Sequence, residues 1–214
     1  MLSLIELGAV VSSAVFGILL ARKNRLDFIG VFTVAFITAF AGGTLRDLFL
    51  DRQPLFWIAN DHYAVIVFLL ALASTLIPAK TSQVEAWLQI PDALGLGLFA
   101  IVGANHALEA GTSLFIASLM GVVTGTAGGA ISDVTCNEVP RLFKATSLYA
   151  TCAFAGCWSC FAVQLVLGRS DIALFVGIAV VVISRLVAIR LNICLPEHKA
   201  TYNDANSSGK TVGN

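Results

Sequence analysis

The sequence predicts an all-α integral membrane protein: two inverted three-helix repeats followed by a seventh transmembrane helix. Three observations predict it. Hydrophobic residues make up 57% of the 214 residues and charged residues 12%, where a soluble domain carries about a quarter charged, and the mean hydropathy is +0.87. The apolar residues gather into seven segments of membrane-helix type. The first half of the chain also matches the second at an offset of 86 residues.

The segments run over about 4–21, 28–45, 63–78, 93–108, 113–131, 146–168 and 172–190. Several are shorter than the roughly 20 residues a straight span prefers, which predicts tilting or local thinning of the bilayer. Brief polar connections separate them. No positive region precedes the first segment; "RKNR" at 22–25 follows it. It therefore reads as a retained span with its amino end outside, not as a signal peptide. That orientation puts ten Lys and Arg inside and only Arg46, Arg52 and Arg169 outside, as the positive-inside rule asks. The carboxyl end is then cytoplasmic, and the expected location is a prokaryotic inner membrane. The tail at 196–214 is polar and rich in Ser, Asn and Gly, which predicts disorder. The chain so divides into a first repeat (1–86), a second repeat (87–171), the seventh helix (172–195) and the tail (196–214). No basic block suggests a nucleic-acid partner.

The offset of 86 brings Glu6 onto Asp92, Gly17 onto Gly103, Thr38 onto Thr124, Asp47 onto Asp133, Pro54 onto Pro140 and Tyr63 onto Tyr149. "AGG" at 41–43 meets "AGG" at 127–129. Three spans per repeat is an odd number, so the second copy enters from the opposite side, and the halves are inverted. Small residues four apart share a helix face and allow close backbone approach. Ala35, Ala39 and Gly43 do so in span two, and Gly121, Gly125 and Gly129 in span five.

Both stripes end on a glycine pair followed by an acid, "AGGTLRD" and "AGGAISD". Gly42, Gly43, Gly128 and Gly129 predict a kink or unwound turn in spans two and five, since Gly costs about 1 kcal/mol relative to Ala in a helix. Freed carbonyls at the end of the first half-helix suit a cation, and N–H groups at the start of the next suit an anion or a phosphate. The hydroxyls of Thr38 and Thr124, one turn earlier, add oxygen ligands. Asp47 and Asp133 carry two readings: intramembrane carboxylates, by default functional, or helix-end groups at the interface. Arg46 has Ser132 at its matching position. It is expected to reach Asp133 across the pseudo-axis rather than its neighbour Asp47, leaving a net negative site.

Other candidates carry two readings each. Glu6 and Asp92 are pore-mouth acids or interfacial residues. Asn105 and His106 line a wet cavity or satisfy a helix contact. Arg185 snorkels inward or binds lipid headgroups. Trp57, Trp87 and Trp158 read as interfacial or packing aromatics. Of five cysteines, Cys157 and Cys160 form a C-x-x-C pattern, but no βαβ context supports a redox site. They read as small apolar helix residues. No nucleophile–base pair or metal-spaced cluster appears, so the chain reads as no enzyme, with no cofactor.

The duplicated unit with "AGGTLRD" and "AGGAISD", each followed by a proline and closed by a seventh span, resembles the prokaryotic trimeric intracellular cation (TRIC) channel family. That family overlaps bacterial membrane proteins described as glycine transporters. The resemblance covers roughly residues 3–192. It implies a homotrimer in membrane lipid, with one pore per protomer walled by kinked spans two and five at Gly42, Gly43, Gly128 and Gly129. It also implies conduction of potassium or sodium ions. Here Ala41, Ala127 and Ser132 stand where many members carry a fuller glycine run or a second Arg-Asp pair. The expected function is a monovalent cation channel. The alternative is a secondary transporter of a small neutral amino acid such as glycine, because inverted repeats with broken helices serve transporters too.

Overall fold

The structure, a computed structural model, describes residues 1–76, 84–144 and 148–193, with side chains left aside at 84–86. The predicted tail and the end of the third segment lie outside the described residues. Helix α1 spans Leu2–Lys23, and Arg22 and Lys23 in its last turn complement the negative helix end. Helix α2, Phe28–Phe49, starts where the Asp27 carboxylate accepts the Gly30 N–H at 2.8 Å. A short helix α3 (Phe56–Ala59) precedes α4 (His62–Thr75). Helix α5 runs Val84–Glu109 with Pro91 inside it. It begins well before the expected residue 93. Helix α6 is Leu114–Thr135, capped by Ser113, whose hydroxyl accepts the Ile116 N–H. A 3-10 turn at Arg141–Phe143 leads to α7 (Tyr149–Leu167) and α8 (Ser170–Arg190).

Six of these helices are long and apolar enough to cross a membrane: α1, α2, Trp87–Glu109 of α5, α6, α7 and α8. Helix α4 is apolar but has 14 residues, about 21 Å against a hydrocarbon core of about 30 Å. Outward-facing side chains such as Leu165, Val166 and Phe175 are exposed and apolar, as a lipid-facing surface requires. The protein is an all-α integral membrane protein.

The 86-residue offset returns in the geometry. The caps Asp27 and Ser113 are one such pair, each binding the N–H three residues on. Arg25 and Gly111 both take positive φ (55° and 81°), as do Asp51 and Asn137 (51° and 57°). At the far helix ends, Arg52 N–H donates to the Asp47 carbonyl and Glu138 N–H to the Asp133 carbonyl, both at 2.8 Å.

Helix α1 packs on α2 and α5, α5 on α6, and α7 on α8, while α2 crosses α6. At that crossing a Cβ on Gly42 would overlap the Thr124 carbonyl oxygen, and a Cβ on Gly128 would overlap the Thr38 carbonyl oxygen. The two contacts run antiparallel and match under the offset. Gly17 and Gly103 meet the side chains of Thr38 and Thr124 in the same way. Lipid offers no hydrophobic drive between helices, so close packing of small residues must hold them together. Ala9, Ala35, Ala39, Ala100 and Ala107 are fully buried for that reason.

The unwound turn expected at the glycine pairs is absent. Both helices continue through Gly42-Gly43 and Gly128-Gly129. At Gly42 and Gly128 the partner backbone occupies the space a Cβ would need, whereas Gly43 makes room for the Phe56 ring and Gly129 for the Tyr149 hydroxyl.

Gly42→Val or Gly128→Val therefore forces α2 and α6 apart. Thermal unfolding in detergent should show a loss of roughly 1–3 kcal/mol, the usual range for overpacking. Gly8→Ala, whose Cβ would meet only Leu98 Cδ1 at an ordinary 3.5 Å, should not lower the unfolding temperature, since Ala is the better helix former.

Candidate functional site

Two charge clusters flank the α2–α6 crossing. Asp47 and Asp133 sit near the carboxyl ends of α2 and α6, where the helix dipole disfavours a carboxylate. Each is stabilised by donors from the loop that follows. Asp47 Oδ2 accepts the Phe56 N–H at 2.8 Å, and Asp133 Oδ2 accepts the Arg141 N–H at 2.9 Å. Each acid so fixes the chain's return path.

In the first cluster Arg46 is completely buried. Its Nε donates to Asp47 Oδ1 at 2.9 Å, and its Nη1 to Glu6 Oε1 on α1 at 3.0 Å. The guanidinium lies 5.1 Å from the Phe56 ring centre. This corrects the expected reach to Asp133. An arginine has enough reach to fold back to its neighbour, and α1 brings Glu6 alongside. The acids Asp47 and Asp133 do not meet. Each lies seven residues past the crossing on opposite sides, about 20 Å apart at 1.5 Å per residue.

In the second cluster Arg141 supplies the guanidinium that Ser132 lacks. It binds Asp133 through Nε (3.3 Å) and Nη2 (2.7 Å) and faces Asp92 at 3.5 Å. Burial alone would lower its pKa, but Asp92 and Asp133 raise it, so it stays charged. Asp92 also accepts the Tyr149 hydroxyl at 2.8 Å and approaches Arg185 Nη2 at 3.5 Å. Arg185 is 2% exposed and lies 4.5 Å from the Tyr149 ring centre. It neither snorkels nor reaches a lipid surface. Glu6 and Asp92 are likewise buried cluster members rather than interfacial residues.

Between the clusters, a cavity of about 10 Å³ is lined by Ser13, Thr38, Asp92, Thr124, Gly128 and Tyr149, among others. It has room for about one water. Thr38 and Thr124 each donate their hydroxyl to the carbonyl four residues back, Val34 and Met120, at 2.6 Å. Their oxygen lone pairs remain free to accept. Asp92 also borders a vestibule of about 360 Å³ lined by Lys23, Arg141, Lys144 and Arg185. This arrangement can hold a small cation through hydroxyl and carboxylate oxygens, but it cannot hold a large solute.

The remaining candidates are placed as follows. Ser132 is buried and donates to the Gly129 carbonyl. Asn105 donates to the Ile101 carbonyl, and His106 Nδ1 contacts Glu109 Oε2 at 2.9 Å. Trp57 donates to Thr44 Oγ1, so it is a packing aromatic, whereas Trp87 and Trp158 are exposed. Cys157 and Cys160 are free thiols buried in helix packing. Among the described residues no group of three His, Cys, Asp or Glu could hold a metal. Arg141, Tyr63 and Tyr149 were not among the expected site residues. The Tyr63/Tyr149 match at the 86-residue offset was the available signal for the last two.

Buried, paired charge at both ends of an antiparallel helix crossing defines a polytopic membrane protein with a polar interior. A family model for glycine transporters matches residues 3–79 and 89–164, and the chain belongs to that family. It is 35% identical over 197 residues to the UPF0126 inner membrane protein YadS of Escherichia coli, covering 87% of this chain and 92% of that one. A UPF0126 membrane protein of Vibrio cholerae is 34% identical over 94% of this chain and 84% of its own length. Among solved structures, a TRIC cation channel studied for its conductance superposes with a TM-score of 0.81 at 30% identity, covering 92% and 97% of the two chains. The TRIC trimeric intracellular cation channel orthologue from Rhodobacter sphaeroides gives the same score and identity, with 90% and 98% covered.

Double-mutant cycles on unfolding check the pairing. Arg46→Met should cost roughly 3–5 kcal/mol by leaving buried carboxylates unpaired. It should couple with Glu6→Gln, while Arg46→Met and Asp133→Asn should add within about 0.5 kcal/mol, as distant sites do.

Proposed function

We propose that the protein is a monovalent cation channel, potassium-permeable, assembled as a homotrimer with one pore in each protomer. The observation that carries this reading is the 0.81 TM-score at 30% identity with solved TRIC channels over nine-tenths of both chains. The site agrees with it. A vestibule leads to Asp92, then to a water-sized cavity beside two threonine hydroxyls. Those oxygens can replace part of a cation's hydration shell, as a narrow conduction path requires. The described conformation is narrow at the crossing, so conduction needs α2 and α6 to part. Gly42 and Gly128 are the points at which they part, since they hold the backbones together without interlocking side chains, and Gly43 and Gly129 beside them leave each helix free to bend.

The same reading takes the chain as seven spans, with α4 as the short third one, arranged as two inverted repeats plus α8. The matched caps, positive-φ residues and acid–loop bonds support it. Arg22, Lys23, Arg141 and Lys144 gather at one end, which by the positive-inside rule is cytoplasmic and leaves the amino end outside.

Carriage of glycine is the second reading, favoured by the description of the matched family. Room for one water at the crossing weighs against a bound amino acid.

Potassium flux from liposomes containing the purified protein separates the two. The channel reading expects fast, non-saturating flux that ignores a glycine gradient. The paired change Thr38→Val and Thr124→Val removes two oxygen ligands and should slow that flux about tenfold, if each hydroxyl contributes about 0.7 kcal/mol. Saturable glycine movement without potassium conductance would establish the carrier instead.

A further inference from the structure

The two mouths of the path do not carry the same charge, although the repeats match around them. At one mouth stand Lys23, Arg141, Lys144 and Arg185 against Asp92, Asp133 and Glu138, one positive charge in surplus. At the other, among the described residues, Arg46 and Arg52 stand against Glu6, Asp47 and Glu109, one negative charge in surplus. Lys23 pairs with Glu138 at 3.4 Å, while the residues 86 away are Glu109 and Arg52, so the signs are exchanged there and the balance is unchanged. The difference comes from Lys144, which stands opposite Ile58 under the offset, and from Arg185. Arg185 rides on α8, the helix outside the repeat, so the other mouth has no equivalent. Its Nε and Nη1 are buried without a hydrogen-bond partner, and the residue borders the vestibule. Its single 3.5 Å approach to Asp92 leaves much of its charge uncompensated.

We propose that this asymmetry makes the channel rectify: cations pass more readily from the Arg46 mouth to the Arg185 mouth than in reverse, and Arg185 and Lys144 set the difference. The inference rests on the cation-channel reading above. Cation entry follows the local cation concentration, which the mouth potential raises at a negative mouth and lowers at a positive one. A difference of two charges acting over about 8 Å through water at about 0.1 M salt changes that concentration about twofold. At about 1 M salt the Debye length falls to about 3 Å and the effect disappears. Arg185 is thus a positioning residue for charge, not a ligand of the permeating ion.

The test is single-channel recording of the full chain in planar bilayers with equal KCl on both sides. A Lys144→Cys channel, modified by a charged impermeant thiol reagent from one chamber, marks the Arg185 side. The expected wild-type current ratio is about two at about 0.1 M KCl and near one at about 1 M. Arg185→Gln should bring the low-salt ratio toward one. Lys144→Gln should do the same in part, and because Lys144 is exposed that variant keeps the test alive should Arg185→Gln fail to fold. Linear wild-type currents at low salt, the opposite sense, or a ratio unmoved by both variants would overturn the inference and leave the channel standing. No potassium current from the wild type would overturn the channel reading itself.

Discussion

The approach of Gly42 to the Thr124 carbonyl, and of Gly128 to the Thr38 carbonyl, is the contact on which the rest of the structure depends. Two helices can come this near only where one presents a glycine to the backbone carbonyl of the other, and in lipid such packing is a main source of cohesion. The crossing brings the two threonine hydroxyls to one small cavity. It also sets Asp47 and Asp133 at opposite ends of the path. Every polar feature of the site is placed by reference to that contact.

The charged clusters follow from burying acids near helix carboxyl ends. A buried ion costs several kcal/mol unless it is paired and hydrogen-bonded. Asp47 and Asp133 meet this by taking a loop N–H and a guanidinium each. The loops after α2 and α6 are thereby tied to their helices. The guanidiniums reach the acids from different places: Arg46 from α2 itself, Arg141 from the loop beyond α6. Equivalent electrostatic demands were met by non-equivalent residues, and α8 then added Arg185 to one end only. A near-symmetric fold acquired polarity in this way.

Much of this was legible in the sequence. Six long apolar helices, the paired acids and the paired threonines follow from composition and spacing, because those features are set by local periodicity and by the 86-residue match, whereas the start of α5 at Val84 and the shortness of α4 do not. The partners of the arginines were not legible. Arg46 pairs with Glu6 forty residues away because α1 packs on α2, a tertiary fact that no spacing rule contains. Arg141 stands opposite Leu55 under the offset, so position-by-position matching hides that it does the work of Arg46. Arg185 lies outside the repeat altogether. The glycine pairs suggested broken helices, since glycine weakens a helix. The structure shows that their absent side chains serve close approach instead.

The central claim is that the α2–α6 crossing lies in the conduction path. Its most direct test is cysteine accessibility at that crossing in a background lacking the native cysteines. Thr38→Cys and Thr124→Cys are each exposed to a small, water-soluble, cationic thiol reagent while potassium flux is recorded. The account predicts that both cysteines react in the conducting protein and that modification reduces the flux. Flux that continues undiminished while neither position reacts would place the path elsewhere and contradict the account.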